Sequence, residues 1–205
     1  CIVNGTLQYG ASLILNNVTV SGNEIDAISA QGYGAGIWNA NPLSSLTING
    51  GLIADNINNA PASFGGAIYS SGALELNNVT LANNNSNEVY GNAIWISDGN
   101  DKQITIANSI LHENDDITQV YIGDASPIVE ISYSNIQDGT LAVTQGFGTF
   151  NWGEGNIDED PNFNNPDNGD YSLQWPSPCI NSGDPNSPFD PDGTIADMGA
   201  YYFDL

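Results

Sequence analysis

The chain has almost no positive charge. Its 205 residues include 24 acidic side chains and a single basic one, Lys102, so the formal net charge is −23. Proteins that bind nucleic acid or anionic lipid need Lys and Arg to neutralise phosphate groups. We therefore expect neither of these partners. The shortage of Lys and Arg also leaves trypsin-like proteases one cleavage point, which suits an exposed, long-lived protein.

Cysteine and long apolar runs are scarce as well. Cys1 and Cys179 are too few for a disulfide framework, and they lack the spacing of a metal site. No apolar run is long enough to span a bilayer, so we expect no membrane insertion. The sequence begins at Cys1 without an initiator Met or a signal peptide, which indicates a processed or truncated product.

The chain does have a repeat. The segment LELNNVTLANN at 74–84 aligns with segments of the same length that begin at residues 13, 46, 104 and 129. In these five copies the first, third and eighth columns are apolar, while the fifth and eleventh hold mostly Asn or Gly. A repeat of this size is typical of solenoids, propellers and arrays.

A second motif, an aliphatic residue followed by an aromatic one, precedes four of the copies. It occurs at Ile37-Trp38, Ile68-Tyr69, Ile94-Trp95 and Val120-Tyr121. Apolar residues at alternate positions indicate strands, so each unit is predicted to contain three short strands: the aromatic one, the Leu-x-Leu one and the Val-x-Leu one.

These units predict an all-β fold, a single-stranded right-handed parallel β-helix of about five coils. Each strand would pair in parallel with its equivalent about 4.8 Å away along the axis. The Asn columns would then form ladders that satisfy buried amides. Two other repeat folds fit less well, because leucine-rich repeats need a helical or extended return segment and propeller blades need four strands and a longer period.

The predicted organisation has two parts. Residues 1–139 form the coils, and residues 140–205 form the last strand and an Asp-, Pro- and Gly-rich C-terminal cap. A solenoid end exposes strand edges and apolar interior, so a cover is needed. Eight apolar side chains of the second part could supply it: Phe163, Tyr171, Leu173, Trp175, Ile180, Tyr201, Tyr202 and Phe203.

Two sets of residues resemble known bacterial proteins. The stretch GGAIYSSGALELNNVTLANN at 65–84 resembles the recurring unit of secreted right-handed parallel β-helix proteins. The C-terminal runs GNIDEDPNF, NGDYSL, SPCINSGDP and DPDGTIADMGAYYF resemble the closing segment of the choice-of-anchor Q domain family, whose members carry a pectate-lyase-like solenoid. The resemblance implies an extracellular or cell-surface location in a bacterium. It implies no particular reaction.

Catalytic residues are hard to find. Polysaccharide lyases of related folds use Arg or Lys as the base, and the one candidate is Lys102, within the turn SDGNDKQ, where a solvated lysine is the simpler interpretation. Glycoside hydrolases use paired carboxylates. Asp115 and Asp116 follow His112, but neighbouring residues of a strand point to opposite faces. We therefore expect no enzyme activity.

A metal site is more plausible in the C-terminal part. Asp190, Asp192 and Asp197 surround Gly193 and place oxygen ligands on a tight turn, as calcium loops do, although the Glu that closes an EF-hand is missing. Bound Ca²⁺ would be structural. The alternative is that these carboxylates cap their own turns.

The aromatic strands offer a candidate ligand-binding surface. If the isoleucines point inward, then Trp38, Tyr69, Trp95 and Tyr121 point outward in one column. Such a column could stack on sugar rings or receive another protein. Long loops could instead fold over it and make it a second core.

The function predicted from these observations is that of a non-catalytic structural solenoid which self-associates end to end into a filament. Cys1 and Cys179 are candidate interface residues, because five coils separate them by about 24 Å and a disulfide needs Cα atoms within about 7 Å. Lipid modification of Cys1 or two free thiols are the other possibilities. The rival functions are a carbohydrate-binding module and a degenerate polysaccharide lyase or hydrolase.

Overall fold

The computed structural model describes residues 1–5, 8–87, 91–97, 102–112, 114, 118–123, 127–146 and 148–205. In this part of the chain there are strands and two short 3-10 helices. In chain order they are β1 Ile2–Asn4, β2 Ser12–Ser21, β3 Glu24–Ile25, β4 Gln31–Tyr33, β5 Ile37–Asn39, β6 Ser45–Ala54, β7 Ile57–Asn58, β8 Ala62–Phe64, β9 Ile68–Ser70, β10 Ala73–Ala82, β11 Asn85–Ser86, β12 Ile94–Ile96, β13 Gln103–Ala107, β14 Ile110–His112, β15 Val120–Ile122, β16 Ile128–Ser132, β17 Asn135–Ile136, η1 Gly139–Ala142, β18 Val143–Gln145, β19 Thr149–Trp152, β20 Phe163–Asn165, η2 Pro166–Asn168 and β21 Asp170–Leu173.

The strands stack as a parallel β-solenoid, as the repeat predicts. One sheet, here called the aromatic sheet, joins β1, β5, β9, β12, β15 and β18 in that order. The main sheet joins β2, β6, β10, β13, β16 and β19, and β14 and β17 extend it in the later coils. A third sheet of two-residue strands joins β3, β7 and β11. All of these pairs are parallel.

The repeat columns predict the register of the main sheet correctly. The first column runs Leu13, Leu46, Leu74, Ile104 and Val129, each paired with the next. The inner members are buried in the main hydrophobic core, whereas Leu13 is only half-buried. The core is therefore a set of aliphatic columns along the axis.

The eleventh column forms the predicted amide ladder. The Nδ2 of Asn23 donates to Oδ1 of Asn56 at 2.8 Å, Asn56 to Asn84 at 2.9 Å, and Asn84 to Asn114 at 3.0 Å. Each acceptor Oδ1 also accepts the backbone N–H of the previous asparagine. Asn56, Asn84 and Asn114 are buried, so the ladder satisfies amides that would be costly to leave unpaired.

The fifth column is not a ladder, contrary to expectation. Its members share a left-handed backbone instead, with φ values of 49° at Asn17, 72° at Gly50, 52° at Asn78, 49° at Asn108 and 46° at Tyr133. This conformation bends the chain, and in the first three coils the two predicted strands run through the bend as one ten-residue strand. The column is defined by backbone conformation, which Asn and Gly tolerate best.

The solenoid has a sixth coil beyond the five repeats. Val143 pairs with Val120 and Phe150 pairs with Val129, so β18 and β19 continue the aromatic sheet and the main sheet. The alignment misses this coil because Thr144 replaces the aromatic residue and Phe-x-Trp replaces Leu-x-Leu.

The predicted cap lies along the side of the solenoid. Residues 158–205, here called the C-terminal flap, pack on the outer face of the main sheet in a second hydrophobic cluster. The solenoid contributes Leu52, Ala54, Ala82 and Ile110 to this cluster, and the flap contributes Phe163, Tyr171, Leu173, Cys179, Ile180 and Met198. Trp175, Tyr201 and Tyr202, which were expected to cover the end, are exposed. The flap thus seals an apolar lateral face.

Candidate functional site

The aromatic column has the predicted orientation. Ile37, Ile68 and Ile94 are fully buried in the core, and the residue that follows each of them points away from it. Trp38 pairs with Tyr69, Tyr69 with Trp95, and Trp95 with Tyr121, so the four rings form one ladder. All four residues are half-buried.

The loops of the second and third coils partly cover this ladder. Their strands β4 and β8 pair in parallel outside the solenoid and carry Tyr33 and Phe64. Tyr33 stacks on Trp38 with ring centroids 5.2 Å apart, and Phe64 meets Trp95 edge-on at 4.7 Å. The geometry therefore favours the alternative in which loops turn the ladder into a second core.

What stays open at the ladder is a small groove. It has a volume of about 210 Å³ and is lined mainly by Phe64, Tyr69, Trp95, Tyr121 and Ser97. Trp95 and Tyr121 stack on each other at 4.1 Å, so the rings cover much of one another's faces. Sugars bind aromatic residues through those faces. Carbohydrate binding at the ladder stays a prediction.

The three aspartates of the predicted calcium loop serve as hydrogen-bond acceptors. Asp197 accepts the backbone N–H of Asn181 and that of Phe203, both at 2.6 Å. Asp192 accepts from the N–H and the hydroxyl of Thr194 at 3.0 and 2.6 Å, and Asp190 accepts from the N–H of Asp197 at 2.8 Å. The carboxylates thus stabilise the conformation of the flap by accepting hydrogen bonds from its backbone N–H groups.

No group of three His, Cys, Asp or Glu side chains in the described ranges is arranged to hold a metal ion. Burial raises the pKa of Asp197 and that of Asp190, whereas the hydrogen bonds from Thr194 lower the pKa of Asp192. Structural Ca²⁺ at these residues stays a prediction. A melting temperature measured with and without a chelator tests it.

The two cysteines lie in opposite environments. Cys1 is exposed, and Cys179 is 0% exposed within the second hydrophobic cluster, where the Nδ2 of Asn135 contacts its sulfur at 3.2 Å. Burial raises the pKa of the Cys179 thiol to about 11. The predicted disulfide between Cys179 and the Cys1 of another copy would therefore require the flap to open, because the sulfur is inaccessible in this structure.

Among the described residues, the candidate catalytic side chains are not brought together in one site. Lys102 is half-buried and immediately precedes β13, and Asp115 and Asp116 lie outside the described residues. His112 ends β14 and meets Phe163 edge-on at 6.4 Å, and its Nδ1 is buried without a hydrogen-bond partner in the described structure. Burial lowers the pKa of His112, against the opposing effect of Asp160.

A groove that the repeat does not predict lies between the solenoid and the flap. This asparagine groove has a volume of about 610 Å³. Its floor is the fourth column of the repeat, Asn16, Asn49 and Asn77, and its far wall includes Asp190, Ala200 and Tyr202. The sequence signal was an Asn in the fourth column of three successive copies. No pattern in the sequence predicted the far wall, because its position depends on how the flap docks on the solenoid.

The last coil presents an open strand edge. β18 and β19 are the terminal strands of the aromatic and main sheets, and no described strand pairs with their outer sides. Phe150 and Trp152 point towards the core from this coil and are only half-buried. The chain then leaves the coil and enters the flap.

Comparison of the chain with protein-family models, with curated proteins and with solved structures found no match in any of the three. Among the residues that the structure describes, none form a helix of sufficient length and apolarity to cross a membrane.

Proposed function

We propose that the protein is a non-catalytic structural solenoid, located outside a bacterial cell or on its surface, whose copies associate end to end. The observation that carries the proposal is the open edge of the last coil. Strand edges of this kind recruit other strands unless they are blocked. Here the flap seals the side of the solenoid and leaves the end of the last coil unpaired.

The edge offers both hydrogen bonds and apolar surface. Thr149 and Gly153 donate their N–H groups inward, to the carbonyls of Pro127 and Ile131. Successive residues of a strand alternate in direction, so the N–H groups of Phe150 and Trp152 point to the open side. A strand that paired there would satisfy these donors and cover both half-buried rings.

The first coil of a second copy has a matching edge. Within the described residues β1, β2 and β3 each pair on one side only, and Leu13 and Leu15 of β2 are half-buried. Stacked on the last coil, these leucines would continue the columns that end at Phe150 and Trp152. Neither β2 nor β19 contains a charged residue or a proline, the usual means of blocking an edge.

A contact between the two different ends is heterologous. It produces an open array when its rotation does not close a ring. The net charge of −23 opposes such contacts through repulsion between copies. Because salt screens that repulsion, association should increase with ionic strength.

Sedimentation and negative-stain electron microscopy of the 205-residue chain test the proposal. We expect oligomers that lengthen with protein concentration and with salt. A lysine on the edge strand, Asn151→Lys, should shift the population to monomers. The matched control is Thr105→Lys, which places the same charge in the same outward column within a middle coil and should still associate. A wild-type chain that is monomeric at every concentration and ionic strength would rule the proposal out.

Two further parts of the proposal rest on sequence alone. Membership of the choice-of-anchor Q domain family rests on the C-terminal motifs, and the extracellular location rests on that resemblance and on the scarcity of Lys and Arg. The lack of catalysis rests on the absence of arginine and on Lys102 as the single basic residue. Release of unsaturated sugar from pectin or alginate, abolished by Lys102→Ala, would contradict it.

A further inference from the structure

The asparagine groove is assembled from two parts of the chain, the main sheet and the flap. The Nδ2 of Asn78 donates to the carbonyl of Asp197 at 2.9 Å, and the N–H of Ala200 donates to Oγ1 of Thr80 at 2.9 Å. These bonds connect the flap to the middle of β10 and hold the far wall at a fixed distance from the floor. A volume of about 610 Å³ lies within the range of small-ligand pockets.

The floor presents amide groups at the spacing of the coils. The Nδ2 of Asn49 donates to Oδ1 of Asn16, and the Nδ2 of Asn77 donates to Oδ1 of Asn49, both at 3.1 Å. These bonds fix the orientation of the amides and leave hydrogen-bonding capacity unused. Both Nδ2 hydrogens of Asn16 and one of Asn49 have no acceptor in the described structure, and no described group donates to Oδ1 of Asn77. The Nδ2 of Asn77 also donates to Glu75 at 3.1 Å, so the floor offers free donors at Asn16 and Asn49 and a free acceptor at Asn77, about 4.8 Å apart from coil to coil.

Gly50 keeps the centre of the floor open. Its φ of 72° disfavours any side chain, and a Cβ at this position would come within 2.4 Å of Oδ1 of Asn17. The equivalent positions in the flanking coils carry Asn17 and Asn78. The glycine thus leaves a recess between two amides in the middle of the groove.

The wall complements this floor. Tyr202 is 48% exposed and lines the groove, so part of its ring is available to a ligand. Oδ2 of Asp190 accepts from Asp197, and no described group donates to Oδ1, which can accept a further hydrogen bond. The groove contains no Lys, Arg or His, and it contains two carboxylates. An anionic ligand would therefore be repelled.

We propose that the asparagine groove binds a neutral, linear oligosaccharide that runs along the solenoid axis over the first three coils. Sugar hydroxyls both donate and accept, which matches the unused amide groups of the floor and the free carboxylate oxygen of Asp190. The apolar face of a sugar ring can stack on Tyr202, an aromatic side chain with one exposed side. A charged polymer such as polygalacturonate lacks a cationic partner in the groove.

Titration calorimetry with cellohexaose, xylohexaose and mannohexaose, with trigalacturonate as the anionic comparison, tests the proposal. We expect millimolar or tighter binding of at least one neutral hexasaccharide and none of trigalacturonate. Tyr202→Ala and Asn49→Ala should each weaken binding at least tenfold. The matched controls are Tyr201→Ala, a neighbouring exposed tyrosine outside the groove, and Thr47→Ala, an outward residue of the same strand. Neither control should change affinity.

Melting temperatures of the four variants show whether a loss of binding reflects a loss of folding. Trp95→Ala separates this site from the aromatic ladder, since it should leave binding intact. Failure of all three neutral sugars to bind would overturn the proposal. So would unchanged affinity in a folded Tyr202→Ala variant, or a loss of binding in a Trp95→Ala variant whose melting temperature shows that it is folded. Sedimentation measures end-to-end association independently, so each proposal can fail alone.

Discussion

The side chain of Asn78 donates a hydrogen bond to the backbone carbonyl of Asp197, 119 positions later in the chain, at 2.9 Å. Asn78 also occupies the left-handed bend of its coil, with a φ of 52°. One residue thus closes a turn of the solenoid and anchors the flap that covers its side. Asn17, the equivalent residue of the first coil, also occupies the left-handed bend but does not anchor the flap, because its side chain makes no hydrogen bond in the described structure.

That difference allows a matched test of the anchor. Asn78→Gly keeps the tolerance for a left-handed backbone and removes the hydrogen bond to Asp197. We expect it to lower the free energy of unfolding by about 1 kcal/mol more than Asn17→Gly does. Urea denaturation of both variants measures the difference. Equal losses would mean that the anchor contributes nothing.

The buried amide ladder should be far more sensitive than the exposed one. Asn84 is fully buried, and Asn84→Ala removes the Oδ1 that accepts the backbone N–H and the Nδ2 of Asn56, together with the Nδ2 that donates to Oδ1 of Asn114 and to the carbonyl of Ile53. We expect a loss of about 3 kcal/mol or more, since each unsatisfied buried group costs about 1–3 kcal/mol. Asn49→Ala on the exposed ladder should cost less than about 0.5 kcal/mol. Thermal and urea unfolding of both variants give the comparison.

Tyr133 occupies a backbone conformation that suits it poorly. It is the one member of its column that is neither Asn nor Gly, and its φ is 46°. Replacement by Asn, as in Tyr133→Asn, should stabilise the chain by about 1 kcal/mol, because a left-handed backbone costs most L-residues about 1–2 kcal/mol. Tyr133→Val, a β-branched residue, should destabilise it. A lower urea midpoint for Tyr133→Asn would show that ring contacts with Gly155 outweigh the strain.

The stability that Asp190 and Asp197 contribute should rise as the pH falls from neutral to mildly acidic values. Burial raises the pKa of Asp190 and Asp197 above the ordinary 3.8. The folded chain therefore takes up protons more readily than the unfolded chain, and the stability from these groups, complete below pH 3.8, is lost as pH rises through the raised values. The lowered pKa of His112 acts oppositely within that range, because the unfolded chain takes up this proton first as the pH falls below 6.5, and the lowered pKa values of Asp170 and Asp192 act oppositely only below it.

Melting temperatures between pH 4 and 8 measure this effect. The scan begins near the ordinary pKa and extends upwards because both pKa values are raised. Asp197→Asn should flatten the profile, and Asp192→Asn should leave its slope near neutral pH unchanged. Repeating the scan with chelator distinguishes proton binding from the predicted Ca²⁺. His112→Gln removes the opposing titration of the histidine, and a melting temperature of this variant that falls steadily from pH 7 to 5 would contradict the prediction.

The thiols should differ sharply in reactivity. The thiolate is the reactive form, and Cys179 is both inaccessible and shifted to a pKa of about 11. At neutral pH we expect a thiol reagent to label Cys1 rapidly and Cys179 only after denaturation. Peptide mapping by mass spectrometry assigns the label. Rapid native labelling of Cys179 would mean that the flap opens readily, and the intersubunit disulfide would become accessible.

The sequence by itself determined the coil. The aliphatic columns, the buried asparagine ladder and the outward aromatic column follow from a two-residue strand period inside a longer repeat, and all three were predicted correctly. Their interactions join equivalent positions of neighbouring coils, so the spacing in the sequence specifies the contact in space. The sixth coil was missed because Phe150 and Trp152 replace the usual leucines, although they occupy the same inward positions.

Tertiary structure alone decided where the flap lies. Its sequence shows apolar side chains that need cover, and both the end of the solenoid and its side could provide it. The side was decided by Leu52 and Ile110, outward residues of the second and fourth coils that make one face of the main sheet apolar. This docking buries Cys179, creates the wall of the asparagine groove and leaves the last coil unpaired. None of these contacts is periodic, so no repeat in the sequence could reveal them.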